Sequence, residues 1–116
     1  MDNRELIKIA AAAAAAKKAE EPAALDLKGL SSVADYFFIC GGSNPRQVKA
    51  IADEIDEALA QAGVKPLRVE GLTESRWVVM DYGSVLVHVF LREAREYYSL
   101  ESLWGDAPRR DLSSGE

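Results

Sequence analysis

Residues able to do chemistry gather around one turn in this sequence. Gly41-Gly42-Ser43-Asn44-Pro45 follows an apolar run and opens a helical pattern. Free amides at a helix N-terminus can hold an anion or a phosphate. The turn lacks the Lys and the spacing of a P-loop, and it is not G-x-G-x-x-G. A strand-to-helix turn in which glycine relieves crowding is the plainer reading. Cys40 stands just before that helix, where a thiol's pKa can fall. With His88 on a neighbouring strand, a Cys–His dyad is conceivable, although a buried structural cysteine is the commoner case. His88 is the only histidine, and no second His or Cys stands at metal-ligand spacing. No metal and no cofactor is expected.

A Gly-Ser turn between a strand and a helix is similar to that of nucleotidyltransferases. Those enzymes need two or three carboxylates on neighbouring strands to hold magnesium. Arg68-Val69-Glu70 offers one acid without a partner two residues away, and Asp35 and Asp81 could join only if the fold brought them together. A different grouping is aromatic. Trp77, Tyr82, Tyr98 and Trp104 lie near turns and element ends, mixed with Asp81, Glu93 and Arg95. Exposed aromatics beside arginine are typical binding hot spots; the alternative is that they close the core from the side.

The elements that must position these residues follow from periodicity. Asp2 with Glu5 at capping-box spacing, the alanines of 10–16 and Pro22 predict a first helix, with Leu6, Ile7 and Ile9 as its only large anchors. Leu25-Asp26-Leu27 and Tyr36 to Cys40 read as strands, the second apolar throughout and so covered on both faces. Asn44, Pro45 and Gln47 start the clearest helix. Val48, Ile51, Ala52, Ile55, Ala58, Leu59 and Ala62 form its stripe, and Gly63 is placed to end it. Strands are predicted at Pro66 to Glu70, Trp77 to Met80 and Val85 to Phe90, the last two joined by a turn at Asp81-Tyr82-Gly83-Ser84. In the last strand Leu86, His88 and Phe90 share one face. Arg92 to Tyr98 is helical, and residues 99–104 continue nearly so.

That order predicts an α/β fold with a single mixed β-sheet and helices on its faces. Residues 1–22 are expected to form an Ala-rich N-terminal helix, 23–107 an α/β domain, and 108–116 a loose tail. The chain has 116 residues, 14 basic against 19 acidic, and one cysteine. One domain is expected, with no intrachain disulfide. The net charge of −5 argues against broad coating of nucleic acid and suits a basic protein partner. The stretch Ile9 to Ala16 is too short to span a bilayer. Asp2 and Glu5 stand where a signal peptide carries positive charge, so a cytoplasmic location is expected.

Several segments in order carry a resemblance: Ala34-Asp35-Tyr36-Phe37-Phe38-Ile39-Cys40-Gly41-Gly42-Ser43, the helix opening Arg46-Gln47-Val48-Lys49-Ala50-Ile51-Ala52-Asp53-Glu54, Val69-Glu70-Gly71, Trp77-Val78-Val79-Met80-Asp81-Tyr82-Gly83, Val87-His88-Val89-Phe90, and Tyr98-Ser99-Leu100-Glu101-Ser102-Leu103-Trp104-Gly105-Asp106-Ala107. Over roughly residues 25 to 107 the chain resembles the ribosomal silencing factor, or Iojap-like, family. The family's usual Cys-Ser-Gly or Cys-Thr-Gly turn is Cys40-Gly41-Gly42 here. The resemblance implies a nucleotidyltransferase-like fold without metal-binding carboxylates, and no enzymatic activity. It implies docking on the large ribosomal subunit through its fourteenth protein, a block to small-subunit joining under nutrient limitation, and homodimerisation when free. Its motif positions place the partner contact at Trp77, Asp81, Tyr82, His88, Tyr98 and Trp104, with Glu93 and Arg95 as polar rim. The competing reading is a nucleotide-binding or nucleotidyltransferase-type enzyme.

Overall fold

In the computed structural model, which describes residues 1–30, 32, 34–98 and 109–110, the chain runs α1 (Asn3–Ala16), β1 (Glu20–Asp26), β2 (Tyr36–Gly42), α2 (Pro45–Gln61), β3 (Arg68–Glu70), β4 (Trp77–Asp81), β5 (Val85–Leu91), α3 (Arg92–Tyr98) and β6 (Arg109–Arg110). The strands form one mixed sheet in the order β3-β4-β5-β2-β1-β6. Among the described residues only β2 and β5 pair in parallel; the other neighbours are antiparallel. This is the α/β architecture that the element order predicts.

Every residue of β2 is buried, as its unbroken apolar run requires of a central strand. Helix α2 has the two ends its sequence encodes. Asn44 Oδ1 accepts from the Gln47 amide at 2.9 Å. At the other end Gly63 takes φ +87°, its N–H bonds to Ala60 O, and Val64 N–H bonds to Leu59 O. That paired pattern is a Schellman motif. Val48, Ile51, Ala52, Ile55 and Leu59 face the sheet, buried.

Helix α1 packs against the sheet and α2. Its alanines are not idle: Ala10, Ala13 and Ala14 are buried with Leu6 and Ile7 in the same core as the sheet. Small side chains let α1 lie close against α2, so it belongs to the domain. Strand β1 begins at Glu20 and runs through Pro22, five residues ahead of the expected Leu25. The register shifts between Glu20 and Ala23, and Glu21 has φ +45°. A proline is tolerated at such a bulge, where a ladder bond is already missing. Arg109–Arg110 pairs with Ala24–Leu25 as the edge strand of the sheet. Among the described residues, no helix is long and apolar enough to cross a membrane.

Glycines report which helix covers which sheet face. A Cβ at Gly42 would meet Val48 of α2, whereas one at Gly41 would meet Arg95 of α3. With alternation and register, Phe38, Cys40, Val78, Met80, Val87 and Val89 therefore face α1 and α2. Phe37, Ile39, Trp77, Val79, Asp81, Leu86, His88 and Phe90 point to the other side.

Candidate docking face

The face opposite α1 and α2 carries an aromatic cluster built by strand pairing. Register places Trp77 opposite Phe90 and Val79 opposite His88. Trp77 and Phe90 stack with centroids 5.0 Å apart, and Phe37 meets His88 edge-on at 4.5 Å. At its centre the Trp77 indole Nε1–H donates to His88 Nδ1 at 3.0 Å. That bond fixes Nδ1 as acceptor, so the neutral ring carries its proton on Nε2. His88 is 4% exposed, and its Nε2 is buried with no hydrogen-bond partner. Burial pushes its pKa down to about 4, because the charged ring would lose its hydration. The imidazole is therefore a neutral support for Trp77 at physiological pH. Trp77 itself is half-buried.

Other sequence-predicted contact residues fall in different places. Asp81 shares the Trp77 face, where one carboxylate oxygen accepts from Gly83 N at 2.8 Å and the other lies 3.8 Å from Arg68. Tyr82 turns away toward α2. Its hydroxyl is buried without a partner, as is Asp56 Oδ1. Burial raises its pKa above the phenol range, and the Asp56 charge adds to that. Glu93 is exposed. Arg95 reaches across to Glu20 on β1 and donates to its backbone carbonyl at 3.2 Å. Arg92 also ion-pairs with the Glu20 carboxylate and holds it below the usual range. The side chain of Tyr98 and all of Trp104 lie outside the described residues. The structure thus joins Trp77, His88 and Asp81 on one face, lays Arg95 over the Gly41 end of that same face, and sends Tyr82 to the other side.

Periodicity misses the open end of this face. Leu67, Arg68, Glu70, Val79, Asp81, Gly83 and Leu86 line a groove of about 390 Å³, with Leu67 76% exposed. Alternation alone places Trp77, Val79 and Asp81 together. Only the register of β3 against β4 adds Arg68 and Glu70.

The glycine turn offers little to a phosphate. Gln47 Oε1 accepts from both the amide and the hydroxyl of Ser43, at 2.7 and 2.9 Å, while Asn44 occupies the Gln47 amide. Gln47 Nε2 in turn donates to Lys17 O and Lys18 O at the end of α1. The helix start is filled by its own side chains. Among the described residues, no group of three or more His, Cys, Asp or Glu is placed to hold a metal ion. A Cys40–His88 dyad is excluded by topology. Cys40 faces the helices and pairs with Val89, whereas His88 faces the other way. Burial also pushes the Cys40 thiol up to about 12.

Comparison with known proteins shows the family. The chain is 50% identical over 115 residues to the ribosomal silencing factor RsfS of Bacillus subtilis, covering 99% of this chain and 98% of that protein. A crystal structure of a protein from Chromobacterium violaceum superposes with a TM-score of 0.88 at 34% identity, covering 97% of this chain and 93% of that one. A more distant relative in Mus musculus is named mitochondrial assembly of ribosomal large subunit protein 1. It is 32% identical over 73 residues, covering 60% of this chain and 32% of that protein. The family described as ribosomal silencing factor during starvation matches residues 1–116. With its sheet, its filled glycine turn and its full-length match, the chain belongs to the ribosomal silencing factor family, a regulatory rather than an enzymatic one.

Proposed function

We propose that this chain silences translation in the cytoplasm by docking on the large ribosomal subunit, through that subunit's fourteenth protein, and excluding the small subunit by bulk. The observation that carries this reading is the Trp77 face. A half-buried indole is held rigid by His88 and Phe90 on a sheet surface opposite α1 and α2. Rigid aromatics cost little entropy on binding, and they dominate interface energetics. An acidic chain meeting a basic ribosomal protein adds electrostatic steering. The name of the mouse relative, which refers to the large subunit, supports the choice of subunit.

In this reading Trp77 and Asp81 touch the partner, and His88 positions Trp77. Tyr82 acts indirectly, by holding the β4–β5 turn against α2. Glu93 and Arg95 border the contact, and the family resemblance alone assigns Tyr98 and Trp104 to it. When no ribosome is present, the same face pairs with a second copy of the chain. Sedimentation with purified large subunits tests the reading. The chain should travel with the subunits and prevent subunit joining, and Trp77→Ala should stay folded at the top of the gradient. A wild-type chain that never leaves the top ends the proposal.

A further inference from the structure

The groove beside Trp77 is unevenly charged. Its lining is aliphatic at Val79, Leu86 and the exposed Leu67, and its charged rim holds two carboxylates and one guanidinium. Arg68 Nε lies 3.5 Å from Glu70, and Arg68 Nη2 lies 3.8 Å from Asp81. Neither separation is that of a good charge-assisted hydrogen bond. One arginine is shared loosely between two acids, and the rim keeps a net charge of −1 by that count. Arg68 and Glu70 are both about two-thirds exposed, so the shared ion pair is weak and readily exchanged.

We infer that this groove is a receptor for a lysine or arginine side chain of the ribosomal protein partner, whose cation displaces Arg68 from Glu70 and Asp81. The inference rests on the docking reading above and specifies its chemistry. A long basic side chain lays its methylene stem on apolar surface while its head finds a carboxylate. The groove supplies both within one volume, next to the Trp77 anchor. Phosphate is the poorer fit, because Arg68 is already flanked by acids and the whole chain carries −5.

The displacement model makes Arg68 a competitor of the partner, and that sets the signs. Equilibrium binding of the labelled full-length chain to purified large subunits is measured for wild type, Arg68→Gln, Glu70→Gln and Glu70→Lys, at low and high salt. Circular dichroism confirms that each variant is folded. Arg68→Gln should tighten binding about threefold, Glu70→Gln should weaken it about threefold, and Glu70→Lys should weaken it about tenfold, as for charges at an interface rim. All three differences should shrink at high salt. Weaker binding by Arg68→Gln together with tighter binding by Glu70→Lys would identify a phosphate at the groove and overturn the inference. Unchanged binding across the series would overturn it as well. Variants that alter only self-association on gel filtration would make a second copy the occupant, and the inference would fall in that case too. If the wild-type chain does not bind at all, the docking reading itself falls, an outcome separate from a wrong sign in the series.

Discussion

The indole N–H of Trp77 donates to Nδ1 of His88 at 3.0 Å, joining β4 to β5 on the sheet face that α1 and α2 leave open. The acceptor is buried, so its partner cannot be replaced by water without rearrangement. Trp77→Phe keeps an aromatic ring but strands Nδ1. The expected loss is about 1–3 kcal/mol of folding stability, the usual cost of an unsatisfied buried polar atom. Urea denaturation of the two proteins measures it, and equal midpoints would show that the bond contributes nothing.

His88 also sets a pH dependence. Its folded pKa is lowered to about 4 from the ordinary value of 6.5, so the unfolded chain takes up the proton first. The neutral ring's contribution is complete above about pH 6.5 and is lost as pH falls toward 4. The total is on the order of 3 kcal/mol. His88→Phe should flatten that part of the stability profile. A profile of identical slope in the variant would show that another group is responsible.

Cys40 should be inert in the folded chain. Its burial is complete, and its thiol is pushed up to about 12, so thiolate is scarce near neutrality. Iodoacetamide should leave the native protein unlabelled and modify one site once denaturant is added. Rapid labelling of native protein at pH 7 would contradict the packing of β2 under α2.

Tyr82 separates support from contact. Tyr82→Phe removes a buried hydroxyl that has no partner, so it should leave stability within about 1 kcal/mol of wild type or raise it. It should also preserve the proposed binding to large subunits. Trp77→Ala should abolish that binding. A Tyr82→Phe chain that is folded yet fails to bind would place the hydroxyl in the interface. The raised phenol pKa means that folding stability should fall as pH rises past 10, since the unfolded tyrosine ionises first.

Two glycines should respond very differently to alanine. At Gly71, φ is +91° and a Cβ would lie 2.1 Å from the Trp77 carbonyl oxygen, so backbone must move. Gly63 has φ +87° with nothing within 4 Å of a Cβ. Thermal denaturation should show a loss of about 1 kcal/mol for Gly63→Ala, the cost of a left-handed residue. Gly71→Ala should lose roughly 3 kcal/mol or more, because strain and overlap combine. Equal losses would mean that the β3–β4 loop accommodates the methyl freely.

Local signals are the legible part of this sequence. Asn44, Pro45 and Gly63 mark both ends of α2 because capping depends on residues a few positions apart. The turn at Asp81 to Ser84 and the buried run Tyr36 to Cys40 are equally local. Gln47 shows the limit: the capping-box spacing is present, yet its side chain bonds Ser43 and the end of α1, a contact spanning about 30 positions. Tyr82 groups with Trp77 by proximity in sequence, but the turn sends it to the opposite side of the sheet. Strand register decides that, and register is a tertiary property. The alanines of α1 carry no periodic signal strong enough to reveal that they are core, since small size matters only once a neighbouring helix is close. Strand β1 is hidden by Pro22, which ordinarily argues against a strand, and becomes readable only with its bulge.

The parallel pairing of β2 with β5 has a consequence for synthesis. It joins residues about 50 positions apart, with α2, β3 and β4 between them. Neither central strand gains its middle neighbour until the chain has been made through Leu91. A nascent chain leaving the exit tunnel can form α2 and the β1–β2 pair early, but the sheet closes late, because such distant contacts wait on loop closure. For most of its own translation, this protein is too incomplete to act on the machine that is making it.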